Sequence, residues 1–324
     1  MHVFVAGGSG AIGRQLVPQL VGRGHLVTAT TTSKAKLPLL EQLGARAVIL
    51  DGLNAAQVGE AVAAAQPDAI VHQMTALAGK PDLKHFGRWF ATTNRLRTEG
   101  TDHLLAAAQA CGVGHVVAQS YTGWTNVRVG GWVKTEDDPF DAEPPRPQRE
   151  TLAAIKHLET EVAKAGGAVL RYGNLYGPGA TDAMVPMVRK RQFPVIGGGT
   201  GYWSWVHVHD AAAATGLALE LRTRAVLNIV DDEPAPVAQW LPYYAESVGA
   251  RPPLRVPGWA GRLLGGEVAV SMMTQTRGSS NARAKQELGW RLRWPSWRQG
   301  FREGLRLTDD PGDLRADGGL REDA

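Results

Sequence analysis

The opening residues MHVFVAGGSGAIGR set an apolar run directly before glycines at positions 7, 10 and 13, with a helical pattern directly after. Strand, glycines three apart, then helix is an order that leaves few architectures. A turn without side chains lets the backbone approach a ligand closely, and a helix that begins there turns its free amides toward it. The positive end of the helix dipole adds to this, so the stretch suits a pyrophosphate. Gly7, Ser9, Gly10, Ala11, Ile12, Gly13 and Arg14 are the residues expected to meet that group.

The chain then alternates: HLVTAT, KLPLLEQLG, ARAVILD, AAQVGEAVAAAQP, AIVHQM, EGTDHLLAAAQACG and VGHVVAQS read as strand, helix, strand, helix, strand, helix and strand. Strands this continuously apolar are buried on both faces, which predicts a parallel sheet with helices above and below. The expected fold is α/β, a Rossmann-type doubly wound parallel sheet with a smaller C-terminal substrate domain. Residues 1–173 would form the dinucleotide-binding domain, with 206–230 returning to it. Residues 174–205 and 231–307 would form the substrate domain, and the charged, Gly-containing stretch 308–324 a disordered tail.

Composition narrows the partners. Net charge is +4 over 324 residues with no Lys/Arg run, so no nucleic-acid partner is expected. A single cysteine, Cys111, excludes an internal disulfide framework and fits a reducing compartment. The N-terminus lacks a basic flank and cleavage site, and no apolar run reaches the roughly 18 residues of a membrane span. A cytoplasmic protein with a small-molecule substrate is expected, with a homodimer as the protein partner considered.

The second strand ends in VTATTTSKAK, where NAD binders place an acid for the ribose 2′-hydroxyl. Thr32, Ser33 and Lys34 offer hydroxyls and a positive charge there instead, and Arg14 follows the last glycine. That favours NADP over NAD, though NAD stays open. Asp51, with Gly52, ends the third strand where a carboxylate meets an adenine amino group or simply closes a turn.

Five segments in order resemble the extended short-chain dehydrogenase/reductase family of the NAD-dependent epimerase/dehydratase type: AGGSGAIG, VHQMTA, VLRYGNLYGPG, VIGGGTGYWSWVHVHDAAAA and LNIVDDEPAP. The resemblance runs from the glycine loop to about residue 307. It implies Met74 and Thr75 along the cofactor and Asn174 and Leu175 near the nicotinamide. It also implies a Ser or Thr that holds the substrate oxygen, a Tyr that transfers the proton, and a Lys one turn later that binds the ribose.

Ser120 in VVAQSYTGW takes the serine role by this reading, with Thr122 its close competitor and a candidate substrate contact. Lys156 aligns with the ribose lysine, and Leu152 then stands where the tyrosine belongs. Leucine transfers no proton. Tyr121 is the nearest replacement in sequence, against a reading in which it only packs in the cleft wall. The alternatives are a proton from water or substrate, or a nucleotide-binding regulator without turnover.

Nucleotide-sugar members carry an arginine where this chain has Trp203, which argues against a UDP-sugar and weakens an epimerase or dehydratase reading. Trp124, Trp132, Trp203 and Trp205 are candidates to line an apolar pocket, Trp124 and Trp203 foremost. His207 and His209 share a strand face without a third ligand, so they are expected to be structural and no metal is expected. The expected protein is an atypical NAD(P)-dependent oxidoreductase acting on a small, largely apolar carbonyl or alcohol.

Overall fold

Seven short strands pair into one parallel sheet in the computed structural model, which describes residues 1–77, 79 and 81–305. They are β1 (His2–Ala6), β2 (Leu26–Thr31), β3 (Arg46–Ile49), β4 (Ala69–His72), β5 (Val116–Tyr121), β6 (Ala168–Tyr172) and β7 (Val226–Ile229). Their order across the sheet is β7-β6-β5-β4-β1-β2-β3, every pair parallel. The chain runs outward from β1 to β3, then returns to the far side of β1 and runs outward again. The direction reverses between β1 and β4, and a crevice opens there at the C-terminal strand ends.

Burial on both faces explains the unbroken apolar strands. Val3 and Val5 of β1 pack with Leu16, Val17 and Leu20 of α1 (Gly13–Gly22), while Phe4 and Ala6 pack on the opposite face with Val58 and Val62 of α3 (Ala55–Ala65). Between these helices lies the short α2 (Leu37–Gln42). Each fully buried Val or Leu contributes about 1.5–3 kcal/mol, so one strand of five residues secures both layers. On the second face α4 (Phe86–Arg97), α5 (Glu99–Ala110) and α6 (Arg149–Lys164) follow α3.

A second apolar cluster forms from residues after 174, with Tyr176, Trp203, Trp205, Trp240, Tyr244 and Trp297 at its centre. Trp203 and Trp205 each lie 4.8 Å from Trp240, centroid to centroid. The two bodies are joined by parallel pairing of Asn174–Tyr176 with Trp205–His207. The boundary differs from expectation in one respect. Ala284, Leu288 and Trp290 cross back to pack beneath the sheet, because their apolar side chains complete the layer around α1. The stretch 308–324 lies outside the described residues, and among those no helix is long and apolar enough to cross a membrane.

Two histidines are held neutral inside this frame. His72 Nδ1 accepts from the Met74 amide at 3.2 Å, and Nε2 donates to Thr101 Oγ1 at 3.2 Å, whose own proton goes to the Arg97 carbonyl. His207 Nδ1 accepts from the His209 amide at 3.1 Å, and Nε2 donates to the Gly304 carbonyl at 2.9 Å. Burial pushes each imidazole from the ordinary 6.5 down to about 4. The unfolded chain therefore takes up these protons first as pH falls. Stability is full above pH 6.5 and is lost toward pH 4, by up to about 3 kcal/mol per histidine. Urea midpoints measured across that interval should drop steeply, and the slope should shrink in His72→Gln.

Candidate active site

The glycine turn is set by packing before any ligand is considered. Gly7 has φ +91°, and a Cβ there would lie 2.7 Å from the Gln73 carbonyl oxygen at the end of β4. A Cβ on Gly13 would stand 2.3 Å from the Gly8 carbonyl. Thr30 Oγ1 accepts from the Gly7 amide at 3.1 Å, and Ser9 donates to Thr31 Oγ1 at 2.9 Å, so β2 pins the loop. Gly10 is exposed, and no side chain caps α1 or places an acid in its first turn. The free amides of Ala11, Ile12 and Gly13 and the helix dipole therefore face an anion unopposed. This cradle, in which a Cβ at Gly7 or Gly13 would clash with a backbone carbonyl, fits the pyrophosphate of a dinucleotide.

Around it the expected contacts take definite places. Arg14 is exposed, its Nε donating to the Ser9 carbonyl at 3.1 Å. Thr32 and Lys34 are exposed and Ser33 half-buried, with no carboxylate between Leu26 and Lys36. Asp51 Oδ1 accepts from the Leu53 amide at 3.0 Å, closing the turn after β3. Met74 is buried against Gly52, where a Cβ would come within 2.4 Å of its sulfur, and Thr75 is exposed.

Beyond the crevice lies a cavity of about 290 Å³ at the ends of β5 and β6. Gln119, Tyr121, Tyr172, Asn174 and Leu175 form its floor. Phe86, Trp89, Phe90 and Arg97 of α4 form one wall, and Trp124, Trp203, Trp205 and Met272 another. Tyr121 donates to Asn174 Oδ1 at 2.9 Å, and Asn174 Nδ2 donates to the Ser204 carbonyl at 3.1 Å, which fixes the amide's orientation. Burial pushes the Tyr121 hydroxyl above its ordinary value of 10, and the charge of Arg97 pulls the other way. Tyr172 accepts from Gln73 Nε2 at 2.9 Å and donates to Thr215 at 2.6 Å, and burial pushes it up to about 12. The tyrosine floor is thus linked through Gln73 to the glycine turn.

Four expected residues are not brought to this cavity. Alternation along β5 turns Gln119 and Tyr121 toward it and Ser120 away. Ser120 donates to Glu159 Oε1 at 2.6 Å, and Glu159 also takes Arg171 Nε and Nη2 at 2.9 and 2.7 Å. Thr122 is buried in a separate network, 2.6 Å from Ser279 Oγ and bonded to Asn126. Lys156 lies on the outer face of α6, its Nζ 5.6 Å from the Phe140 ring centroid. The inner face of α6 carries Leu152 and Ile155, packed with Phe86, Phe90 and Trp124. Lys156 therefore brings no amine to the cavity, whose phenols are Tyr121 and Tyr172. Trp132 is likewise elsewhere, half-exposed beneath Arg277 and stacked on Tyr202.

Arg97 was not anticipated. The signal lay in FGRWFATTNRLR, where Phe86, Phe90, Thr93 and Arg97 fall at helical spacing on one face. An arginine ending an apolar stripe stands out once that period is written down.

The NAD dependent epimerase/dehydratase family model matches residues 3–229. A Streptomyces 3-diazoavenalumate denitrifying reductase is 42% identical over 308 residues, covering 93% of this chain and 99% of that protein. Two solved structures share the fold. One is the Thermus thermophilus UDP-glucose 4-epimerase in complex with NAD, with TM-score 0.73, 22% identity, and 98% and 100% of the two chains covered. The other is a human epimerase family protein with NADPH, with TM-score 0.70, 22% identity, and 94% and 99% covered.

Gly123 tests the floor directly, because a Cβ there would fall 1.8 Å from the Tyr121 hydroxyl. Gly123→Ala should swing the Tyr121 ring off Asn174 and into substrate space, raising KM by about tenfold while kcat changes little. Binding of the dinucleotide, followed by quenching of tryptophan emission, should be unchanged.

Proposed function

The chain belongs to the NAD dependent epimerase/dehydratase family, and we propose that it is a reductase delivering hydride to a flat aromatic substrate whose reduction takes no proton from the protein. Removal of a diazo group as dinitrogen is the reaction that fits best. One observation carries this reading. Among the described residues the cavity holds Tyr121 with no amine beside it, while Lys156 sits on the outside of α6. Burial makes that phenol a weaker acid than a free one.

Ketone reduction needs a hydride and a proton, and general acid catalysis of the second typically contributes about 10²–10⁴-fold. An arenediazonium needs the hydride alone. Addition to the terminal nitrogen gives an aryldiazene. This loses N₂ as the N–H proton passes to carbon, so that ArN₂⁺ and H⁻ become ArH and N₂. The relative named as a diazo-denitrifying reductase supports the same chemistry. The aromatic walls support it too, since an apolar enclosure keeps water from a substrate that water attacks.

Bound NADPH supplies the hydride. The backbone of Gly7, Gly10, Ala11, Ile12 and Gly13 holds its pyrophosphate in this reading, with Ser9 anchoring the loop through Thr31. Arg14, Thr32, Ser33 and Lys34 take the 2′-phosphate, which favours NADP over NAD. Asp51 and Gly52 border the adenine, Met74 and Thr75 lie along the cofactor, and Asn174 and Leu175 lie near the nicotinamide. Trp124 and Trp203 clasp the substrate ring. A second reading, carbonyl reduction with Tyr121 as proton donor, draws on the fixed Tyr121–Asn174 pair.

Tyr121→Phe separates the two. With a benzenediazonium probe, corrected for its protein-free reaction with NADPH, the variant should keep its rate within about tenfold and release N₂. A loss of about 10²-fold or more would assign proton donation to Tyr121 and carry the carbonyl reading. For the cofactor, NADPH should bind more tightly than NADH, and Lys34→Ala should narrow the gap. Equal or tighter NADH binding would overturn the NADP assignment.

A further inference from the structure

Two guanidiniums and one carboxylate are buried around the end of β5. Arg171 takes both oxygens of Glu159. Arg97 is only 4% exposed, has no ion pair among the described residues, and its Nη1 is buried without a hydrogen-bond partner. Its guanidinium carbon lies 5.9 Å from the Phe90 ring centroid, a weak partner for a full charge. Burial pushes Arg97 down only to about 10, so it remains a cation at neutral pH. A buried charge without a counter-charge works against folding, and such groups concentrate where a ligand completes them.

The rest of the wall has the same bias. Three of the cavity-lining residues carry buried side-chain atoms without partners, namely Trp89 Nε1, Arg97 Nη1 and Trp205 Nε1. All three are N–H donors, and the Tyr121 proton is already given to Asn174. Among the described lining side chains the unpartnered buried atoms are thus donors only, and the strongest of them is cationic.

We infer that Arg97 receives an anionic oxygen of the substrate, so that the substrate class is an aromatic acid or phenol bound as carboxylate or phenolate. This rests on the cavity being the substrate site, as read above. The same charge repels a diazonium group. A substrate bearing both an anionic oxygen and a diazonium enters one way round, oxygen toward Arg97. Trp89 and Phe90, both about two turns earlier on α4, flank the ring.

Calorimetric titration of the NADPH-saturated protein tests this with matched probes: cinnamate against cinnamamide, and 4-nitrophenolate against 4-nitroanisole. Wild type should prefer the anion of at least one pair by about tenfold or more, and which pair shows it separates carboxylate from phenolate. Arg97→Met should erase the preference while binding the neutral probes as wild type does, and Arg97→Lys should restore part of it. Arg97→Met should also melt at or above the wild-type temperature, since it removes an uncompensated charge. An anion preference that survives Arg97→Met overturns the inference, as does a variant that melts lower and loses the neutral probes too. Absence of hydride transfer to the diazonium probe with the anion preference intact would instead overturn only the reaction proposed above.

Discussion

Everything in this molecule is arranged about the contact of the Gly7 backbone with the carbonyl of Gln73. It lies where the sheet reverses direction, between β1 and β4, and it brings two strand ends too close for any side chain at position 7. That approach opens the crevice on one side and fixes Gln73 on the other. Gln73 then donates to Tyr172, whose phenol joins β6 to the helix Val208–Glu220 through Thr215. A single steric constraint thus sets both the dinucleotide cradle and the floor of the cavity.

The chemistry of the floor is decided by alternation along one strand. Side chains on a strand point to opposite faces with period two, so neighbours cannot share a task. In β5 the phenol of Tyr121 points into the cavity and the hydroxyl of Ser120 into a buried ion pair. The serine is there to complete Glu159, which already faces Arg171. Removing it would leave a buried carboxylate short of a donor, a structural defect of about 1–3 kcal/mol.

The sheet, its order of elements and the glycine cradle were legible because they follow from local pattern: apolar runs, three-residue glycine spacing, and helix starts. Trp124 and Trp203 were expected to line an apolar pocket and do line the cavity, where Asn174 and Leu175, expected near the nicotinamide, also lie. What failed was facing. Ser120, Thr122 and Lys156 occur at the expected places along the chain, yet each side chain turns to a partner distant in sequence: Glu159, Ser279 and Phe140. Such partners are set by tertiary packing, which one-dimensional spacing does not encode. Arg97 was missed for the complementary reason: its helix, Phe86–Arg97, drew no reading, and helical spacing alone does not show what an arginine at its end faces.

The indoles of the cavity have an optical consequence. Of ten tryptophans in the chain, Trp89, Trp124, Trp203 and Trp205 line one enclosed space. Reduced nicotinamide absorbs in the region where indole emits, so a dinucleotide bound beside them acts as an energy acceptor at short range. An aromatic guest stacked among them would shift the emission again. The protein carries a built-in fluorescent readout of each ligand's arrival and departure, with no label attached.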